Sequence, residues 1–438
     1  MLLTPDVRTA AITAAQPQRY GTVAELSGLR LTVVGVDAAA GDLLQIRTRA
    51  GVLEAEVAVL NPDRSLVCLP LGSTSGVRIG DLVSTSGGPL RVLVGDGLRG
   101  RILDGLGRPI DGGPPLTSVP GLEWVSVENT TPNALTRPVI RTPLGVGVRA
   151  LDALVPVGRG QRLGIMAGSG VGKSSLLSMI ARGTEAAISV IALVGERGRE
   201  VREFLENDLG PEGLARSVVV VSTSDAPAVE RLRSAFVATR IAESFRDSGH
   251  HVVLMMDSLT RVAMAQREIG LSAGEPPATR GYPPSVFGML PRLLERAGTS
   301  ERGSITGLYT VLVEGDDLQD PIGDTTRSIL DGHVVLSREL ATAGHFPAID
   351  VLESISRPAP AICTRDNMAN AIRLRRMLAA HRNIKELVEI GAYMPGADAD
   401  ADAALARLPM INDFLMQSMD EQTTPDQAWE ALAGLVAG

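Results

Sequence analysis

The sequence is poor in the residues that mark several common classes of protein. Its two cysteines, Cys68 and Cys363, are far apart, so it offers neither a disulfide framework nor a paired-cysteine metal site. Aromatic residues make up only 3% of the chain and the net charge is −8, which disfavours a nucleic-acid-binding surface. No apolar run approaches the ~20 residues of a membrane helix, and residues 1–16 lack the pattern of a signal peptide. These absences predict a protein of the reducing cytoplasm with no specific nucleic-acid partner.

Lysine is nearly absent as well, although the chain has many positively charged residues. Of its 42 basic residues, 40 are arginines and only Lys173 and Lys385 are lysines. A compact ammonium and a planar guanidinium are not interchangeable, so a lysine in such a chain can mark a position where arginine will not serve. Lys173 lies in a glycine-rich stretch that supports this interpretation, whereas Lys385 falls on a predicted helix face where chance is sufficient.

The 438-residue chain changes character along its length in a way that predicts several domains. Its 44% of hydrophobic residues can bury a sizeable core, and its length suggests two or three domains. Short β-like stretches separated by Gly, Asp and Asn predict a small β-barrel at residues 20–94. From about residue 366, helix formers with apolar residues at helical spacing predict a helical domain at 365–438. Residues 95–364, which begin with a Gly- and Pro-rich connector, are expected to form the central domain.

Within the central domain, apolar strand-like segments alternate with helical ones. The predicted strands are residues 162–167, 189–195, 217–222, 251–257, 304–313 and 333–337. The predicted helices between them are residues 174–182, 199–205, 226–246 and 286–297. This alternation predicts βαβ units and an α/β fold, with a mostly parallel sheet covered by helices on both faces.

One glycine-rich stretch has the context and composition of a phosphate-binding loop. Residues 167–174 are Ala-Gly-Ser-Gly-Val-Gly-Lys-Ser, which matches G-x(4)-G-K-[ST] apart from Ala167 at the first position. Glycines let successive backbone N–H groups point at phosphate oxygens, and the helix N-terminus adds partial positive charge. We expect Lys173 to bridge the β- and γ-phosphates and Ser174 to place its hydroxyl on Mg²⁺. The predicted nucleotide-binding residues here are Gly168, Ser169, Gly170, Val171, Gly172, Lys173, Ser174 and Ser175.

Two predicted strand ends carry acidic residues. Asp257 ends the apolar strand at 251–257, where an aspartate would lie beside the phosphate loop and hold Mg²⁺, although it could instead cap the next helix. Glu196 and Arg197 follow another strand end, where Glu196 could polarise an attacking water and Arg197 could contact phosphate. A solvated cluster at the start of a helix is the other interpretation of this Glu/Arg pair.

Four stretches together resemble a known family. In chain order they are Gly-Glu-Arg-Gly-Arg-Glu at 195–200, Leu-Met-Met-Asp-Ser-Leu-Thr-Arg at 254–261, Gly-Tyr-Pro-Pro-Ser-Val-Phe at 281–287 and Pro-Ala-Ile-Asp-Val-Leu-Glu-Ser-Ile-Ser-Arg at 347–357. They resemble the α/β-subunit family of rotary ATP synthases, and residues 274–282 resemble its type III protein-export ATPases. The resemblance extends from about residue 20 to the C-terminus. It implies a P-loop (RecA-like) parallel-sheet core with an N-terminal β-barrel and a C-terminal helical domain.

The resemblance also implies roles for individual residues at the phosphate end of the site. Lys173 and Ser174 are expected to hold phosphate and Mg²⁺, Asp257 to order the metal shell and Glu196 to activate water. ATP and Mg²⁺ are the ligands that this set implies.

The resemblance repeats the phosphate role of Arg197, and three further residues are assigned by the resemblance alone. Arg197 and Arg261 are expected near the phosphates, and Phe346 matches the aromatic residue that stacks on adenine. Arg357 matches the arginine finger that reaches a neighbouring subunit's site, and Pro358 restricts the loop beyond it. Without the resemblance, a core aromatic and a surface ion pair would be the simpler interpretations of Phe346 and Arg357.

The implied activity is Mg²⁺-dependent ATP hydrolysis coupled to protein export through a flagellar type III apparatus. An injectisome ATPase and a catalytic subunit of an ion-translocating ATP synthase are the alternatives. The implied partners are other copies of the chain in a homohexamer, a stalk, regulatory stator-like proteins, chaperone–substrate complexes and a membrane export gate. Residues 1–19 are expected to dock regulatory partners, and the protein is expected at the cytoplasmic face of the inner membrane.

Two further classes remain to be weighed against this one. A non-catalytic ring subunit would typically lack the carboxylate that Glu196 supplies. A nucleic-acid motor resembling the transcription terminator Rho is disfavoured by the acidic net charge and the aromatic-poor N-terminal region.

Overall fold

The computed structural model describes residues 20–313 and 320–437, and its N-terminal part is a closed β-barrel. The barrel strands are β1 (Gly21–Ser27), β2 (Arg30–Val34), β3 (Asp42–Thr48), β4 (Gly51–Leu60), β5 (Leu66–Pro70) and β6 (Leu82–Pro89). Their order is β1-β2-β5-β4-β3-β6, with antiparallel pairing that returns to β1. Alternate apolar residues such as Leu31, Val33, Leu44 and Ile46 fill its interior. The predicted barrel is confirmed, while the predicted docking segment 1–19 lies outside the described residues.

A connector of short elements follows the barrel. It contains β7 (Arg91–Val94), β8 (Ile102–Asp104), β9 (Glu123–Ser126), β10 (Pro143–Leu144), α1 (Arg149–Leu154) and β11 (Val157–Gly158). Single 3₁₀ turns occur at Asp96–Leu98 and Leu116–Ser118. β7 pairs with β9 and β10 pairs with β11, both antiparallel.

The central sheet is mostly parallel, as the alternation of strands and helices predicts. Its strands are β8 with β12 (Arg162–Ala167), β13 (Ile188–Glu196), β14 (Ser217–Thr223), β15 (His251–Asp257), β16 (Gly298–Thr299), β17 (Ser304–Leu312), β18 (Gly332–Leu336) and β19 (Ile349–Ser356). Their order is β19-β18-β12-β17-β15-β13-β14-β8, with β16 beside β17. Two pairs are antiparallel, β18 with β19 and β16 with β17. The carboxyl ends of the parallel strands therefore share one edge of the sheet.

Helices cover both faces of this sheet and form the C-terminal domain. They are α2 (Lys173–Gly183), α3 (Gly198–Glu203), α4 (Gly210–Ala215), α5 (Ala228–Asp247), α6 (Leu259–Ser272), α7 (Pro284–Leu294), α8 (Pro321–Ile329), α9 (Arg338–Thr342), α10 (Ala359–Ile362), α11 (Arg365–Glu389), α12 (Ala399–Leu415) and α13 (Pro425–Ala437). A π-helical turn, Phe204–Leu209, joins α3 to α4, and a 3₁₀ turn spans Thr279–Gly281. Across residues 20–313 and 320–437, no helix is both long and apolar enough to span a bilayer.

Successive residues of the central strands are buried in two different cores. Val190, Ala192 and Val194 of β13 contribute to one apolar cluster, whereas Ile191 and Leu193 contribute to the other. Because side chains alternate across a strand, a sheet covered on both faces requires apolar residues at consecutive positions. This double burial holds the strand ends, and the loops that follow them, on a rigid base.

A buried ion pair ties α5 to the turn that follows α7. Arg296 donates two hydrogen bonds to Glu243, at 2.8 and 2.7 Å, and Asn129 donates a third at 2.8 Å. The side chains of Arg296 and Glu243 are 2% and 0% exposed. Removing Arg296 leaves the buried Glu243 carboxylate with only the Asn129 hydrogen bond and the more distant Arg240, 3.7 Å away, to offset its charge.

We therefore expect Arg296→Ala to lower the free energy of unfolding by about 3–5 kcal/mol. Arg292→Ala is the matched control, since Arg292 is 74% exposed and lies 3.8 Å from Glu128, and such a pair is worth about 1 kcal/mol or less. Denaturant titration followed by circular dichroism measures both. Equal, small losses in the two variants would contradict the prediction.

Candidate active site

The candidate site lies where the central parallel strands end. The phosphate loop follows β12, Glu196 is the last residue of β13 and Asp257 the last residue of β15. The pairing register sets Asp257 beside Leu193, three residues before Glu196, so both acidic residues lie at the carboxyl edge of the sheet with Glu196 further out. In parallel α/β sheets this edge is where ligands bind.

The backbone of the phosphate loop explains its glycines and its one departure from the motif. Gly170 and Gly172 have φ angles of 76° and 89°, which favour glycine over any residue with a Cβ. Ala167 is instead the last residue of β12, is 1% exposed, and its carbonyl accepts the N–H of Val313 at 3.0 Å. An alanine fits this strand position, so the missing first glycine does not alter the loop.

Lys173 is held by acidic groups from two strands. Its ammonium donates a short hydrogen bond to Asp257 and lies 3.4 Å from a carboxylate oxygen of Glu196. The hydroxyl of Thr310, on β17, donates to the same Asp257 oxygen at 2.8 Å. The side chains of Lys173, Glu196 and Asp257 are only 12%, 16% and 6% exposed. The three charged residues therefore form one compact, largely desolvated cluster.

Burial and mutual charge shift the pKa values in this cluster. Burial opposes the charge of Lys173, but Asp257 and Glu196 outweigh it, so the pKa of the ammonium is raised. Burial also raises the pKa of Glu196; Lys173 opposes this rise, whereas Asp257 and Glu200 add to it. A carboxylate with a raised pKa is a stronger base toward water than an exposed one.

The oxygen groups around Lys173 fit a Mg²⁺ ion bound together with a nucleotide. Ser174 follows Lys173 at the start of α2 and is exposed. Among residues 20–313 and 320–437, no group of three or more His, Cys, Asp or Glu side chains forms a metal cage. Mg²⁺ usually takes one or two protein oxygens plus phosphates and water, and not a complete protein cage.

The helix-cap alternative for Asp257 does not hold. Ser258 is the N-cap of α6, and its hydroxyl accepts the N–H of Arg261 at 3.3 Å. Asp257 is thereby left to bind Lys173.

The structure separates the two arginines expected near phosphate. The Arg261 side chain packs on Gly195, where an added Cβ would lie 3.0 Å from it, and its buried Nε has no hydrogen-bond partner among the described residues. Arg197 instead has a side chain that is 79% exposed and pairs with Glu200 at 3.3 Å. Arg261 therefore adjoins the strand end that carries Glu196. Arg197 instead forms part of a solvated cluster at the start of a helix, which was the alternative interpretation of this residue.

Phe346 lies at the rim of the phosphate loop. Its ring carbons Cδ1 and Cε1 would be 3.4 Å from a Cβ added to Gly172, and the residue is 45% exposed. It is therefore not a core aromatic. An open ring face beside the loop can accept a base.

Arg357 lies at the opposite end of the sheet. Its N–H donates to the carbonyl of Asp331 at 3.0 Å, and the N–H of Asp331 donates to the carbonyl of Arg162, the first residue of β12. The phosphate loop begins after Ala167, the last residue of that strand, roughly 17 Å away at ~3.3 Å per residue. The exposed Arg357 therefore cannot be brought to the phosphate loop of its own chain by a change of rotamer.

Two contacts of this region were missed from the sequence. Thr310 binds Asp257, but threonine is common in strands and only the register between β15 and β17 brings the two together. Arg338, the first residue of α9, donates to the carbonyl of Ser169 in the phosphate loop at 3.1 Å. Neither contact has a local sequence signal.

Together, the fold and site define a P-loop nucleotide-hydrolysing domain between a β-barrel and a helical domain. The sequence profile of the ATP synthase alpha/beta family, nucleotide-binding domain, matches residues 147–356, and that of the T3SS EscN ATPase C-terminal domain matches residues 363–434. The chain belongs to the ATP synthase alpha/beta family and, within it, to the type III protein-export ATPases. The expected fold class and ATPase class are thus confirmed.

Relatives from both kinds of export system match nearly the whole chain. It is 51% identical over 422 residues to a flagellum-specific ATP synthase of Bacillus subtilis (strain 168), covering 95% of each chain. It is 49% identical over 435 residues to a type 3 secretion system ATPase of Xanthomonas euvesicatoria, covering 99% and 98%. The assembled ATPase EscN of the enteropathogenic E. coli type III secretion system has a similar structure, with a TM-score of 0.89 at 44% identity, covering 95% of this chain and 100% of that one.

Proposed function

We propose that this protein hydrolyses ATP with Mg²⁺ and couples the reaction to protein export through a flagellar type III apparatus. The observation that carries the catalytic part is the cluster of Lys173, Glu196 and Asp257 at one sheet edge. The flagellar part is supported by the flagellum-specific relatives, of which that of Bacillus subtilis is 51% identical.

In the proposed site, Lys173 exchanges its contact with Asp257 for the β- and γ-phosphates when nucleotide enters. Loop N–H groups from residues 168–175 surround the phosphates, and Phe346 stacks on the base. Ser174 and Asp257 hold Mg²⁺, which neutralises charge on the phosphate oxygens when bound. Glu196 accepts a hydrogen bond, and then a proton, from the attacking water. Arg261, packed beside Glu196, contributes positive charge near the phosphates.

The active form is proposed to be a homohexameric ring. Arg357 is a full strand length from its own phosphate loop, so an arginine finger at this position has to serve a neighbouring subunit. The assembled state of the similar EscN supports a ring. Arg197, exposed on the surface, would reach a phosphate only through rearrangement or across such an interface.

The other proposed features follow from membership of the export family. EscN has been solved in complex with its central stalk EscO, and we propose an equivalent stalk partner here. The further proposed partners are regulatory stator-like proteins, chaperone–substrate complexes and the membrane export gate. We propose that the protein binds them at the cytoplasmic face of the inner membrane. The proposed domain limits are 20–94, 95–364 and 365–438, with 1–19 as the partner-docking segment.

Glu196→Gln tests the proposed chemistry directly. The amide preserves the shape of the side chain but cannot accept a proton from water, so we expect kcat to fall by about 10²–10⁴-fold. Nucleotide affinity, followed by titration with a fluorescent analogue, should stay within about threefold of wild type because Lys173 and the loop are intact. Wild-type turnover in this variant would reduce Glu196 to a carboxylate at the start of a helix.

The same variant tests the coupling to export in cells. A strain that produces only Glu196→Gln protein should stop secreting flagellar hook and filament proteins, while the wild-type gene restores secretion. If instead needle-type secretion is lost and flagellar secretion is normal, the injectisome function is correct. Normal secretion of both kinds would reject a role in export.

A further inference from the structure

Residues 337–346 connect β18 to β19 and contact the phosphate loop at two places. At one end, Nη1 of Arg338 donates to the carbonyl of Ser169 at 3.1 Å. At the other end, the ring of Phe346 lies against Gly172. The expected adenine-stacking residue and Arg338 thus lie on one short segment that flanks the loop.

The Arg338 contact determines the orientation of one peptide unit in the loop. A trans peptide is planar, with its C=O and N–H pointing in opposite directions. When Arg338 holds the carbonyl of Ser169, the N–H of Gly170 points away from Arg338. Gly170 has a φ of 76°, and without a Cβ it meets little steric resistance to rotation. A contact that fixes the preceding carbonyl therefore restricts a peptide that would otherwise reorient easily.

We propose that Arg338 is a positioning residue of the nucleotide site, which holds the Ser169–Gly170 peptide with its N–H available to phosphate. The inference rests on the proposed nucleotide site. The guanidinium contacts a backbone carbonyl, so Arg338 affects how tightly nucleotide binds and leaves the hydrolysis step unchanged. Loop N–H groups cradle the α- and β-phosphates, and ATP and ADP should depend on Arg338 to the same degree.

The helical domain also contacts residues 337–346, the segment that carries Arg338. Glu339, next to Arg338 on α9, pairs with Lys385 of α11. The carbonyl of Phe346 accepts the N–H of Gln417 at 3.0 Å. Residues 337–346 are thereby attached to the helical domain on one side and to the phosphate loop on the other.

The test compares Arg338→Ala and Arg338→Lys with wild type. Fluorescent ADP and a non-hydrolysable fluorescent ATP analogue are titrated with Mg²⁺, and kcat and KM are measured separately. Arg338→Ala should weaken both nucleotides by about 5- to 10-fold, the contribution of one hydrogen bond, while kcat stays within about twofold. Arg338→Lys should recover most of the affinity, because an ammonium can also donate to the carbonyl.

The control variant is Arg376→Ala. Arg376 is 69% exposed and pairs with Asp400 at 2.8 Å, so its loss removes a surface arginine without contact to the loop. It should leave both affinities unchanged.

Four results would overturn the inference. The first three are unchanged affinity in Arg338→Ala, weakened binding of the ATP analogue alone, which would indicate contact with the γ-phosphate, and a fall in kcat at constant affinity. The fourth is a lower unfolding midpoint of Arg338→Ala without nucleotide that Arg338→Lys does not restore, because the role of Arg338 would then be merely structural. Failure of the proposed function is distinguishable, since wild-type protein would then either bind neither nucleotide or bind both without hydrolysing ATP, whatever the effect of Arg338→Ala.

Discussion

Lys173→Ala is expected to reduce kcat by about 10³-fold or more, while the protein stays folded. The alanine removes the one mobile positive charge of the phosphate loop, so charge developing on the phosphate oxygens loses its main partner. It also leaves the buried Asp257 carboxylate without its cation. Nucleotide affinity should fall together with kcat, and phosphate release assays and analogue titration measure the two effects.

The natural control is the only other lysine of the chain. Lys385 is 48% exposed and pairs with the exposed Glu339, where solvent screens the attraction between the two charges. Lys385→Ala should therefore keep wild-type turnover at saturating ATP. Near-normal kcat in folded Lys173→Ala protein would reject the assignment of the phosphate loop.

Arg357→Ala is expected to lower turnover by about 10³–10⁵-fold, the range found for arginine fingers that act in trans. The distance between Arg357 and its own phosphate loop makes the sharper test a mixing experiment. Lys173→Ala subunits supply an intact finger, and Arg357→Ala subunits supply an intact phosphate site. When equal amounts are mixed, roughly a quarter of head-to-tail interfaces join the two intact halves. Activity should therefore reappear in the mixture although each variant alone is inactive.

Wild-type specific activity should also rise with protein concentration as rings assemble. Turnover that is independent of concentration, together with no recovery on mixing, would mean that each chain completes its own site. The two variants should be checked for equal assembly by size-exclusion chromatography, so that a lack of recovery cannot be caused by a failure to mix.

The parts of the site that depend on local sequence or on general sheet geometry could be predicted. The loop at 167–174 is one contiguous motif, and parallel strands bring their carboxyl ends to one edge. Those two facts predicted Asp257 beside the phosphate loop and favoured Glu196 at the same edge, while a helix cap and a solvated cluster stayed open as the other interpretations. The replacement of glycine by Ala167 was harmless because the position belongs to β12 and not to the turn.

The rest depended on register and on the direction of side chains. Thr310 contacts Asp257 only because β17 pairs beside β15 with Tyr309 opposite Met256. Arg197 was grouped with Glu196 because the two residues are adjacent in sequence. The side chains of neighbouring residues at a strand end point in different directions, and that of Arg197 pairs with Glu200. Arg338 reaches the loop through the path of the chain after β18, which no periodicity encodes.

The strand β8 has a consequence for where this protein can be divided. It lies in the glycine-rich connector, far upstream of residue 147 where similarity to the nucleotide-binding family begins, yet it forms the outer strand of the central sheet. Ile102, Leu103 and Asp104 pair with consecutive residues of β14, and Leu103 is fully buried. A fragment starting at residue 147 would leave the backbone groups of β14 open to another chain, a known route to aggregation. The unit that can be exchanged between relatives is therefore longer than the nucleotide-binding domain profile at residues 147–356, and a chimaera should join the barrel of one relative to the sheet of another before β8.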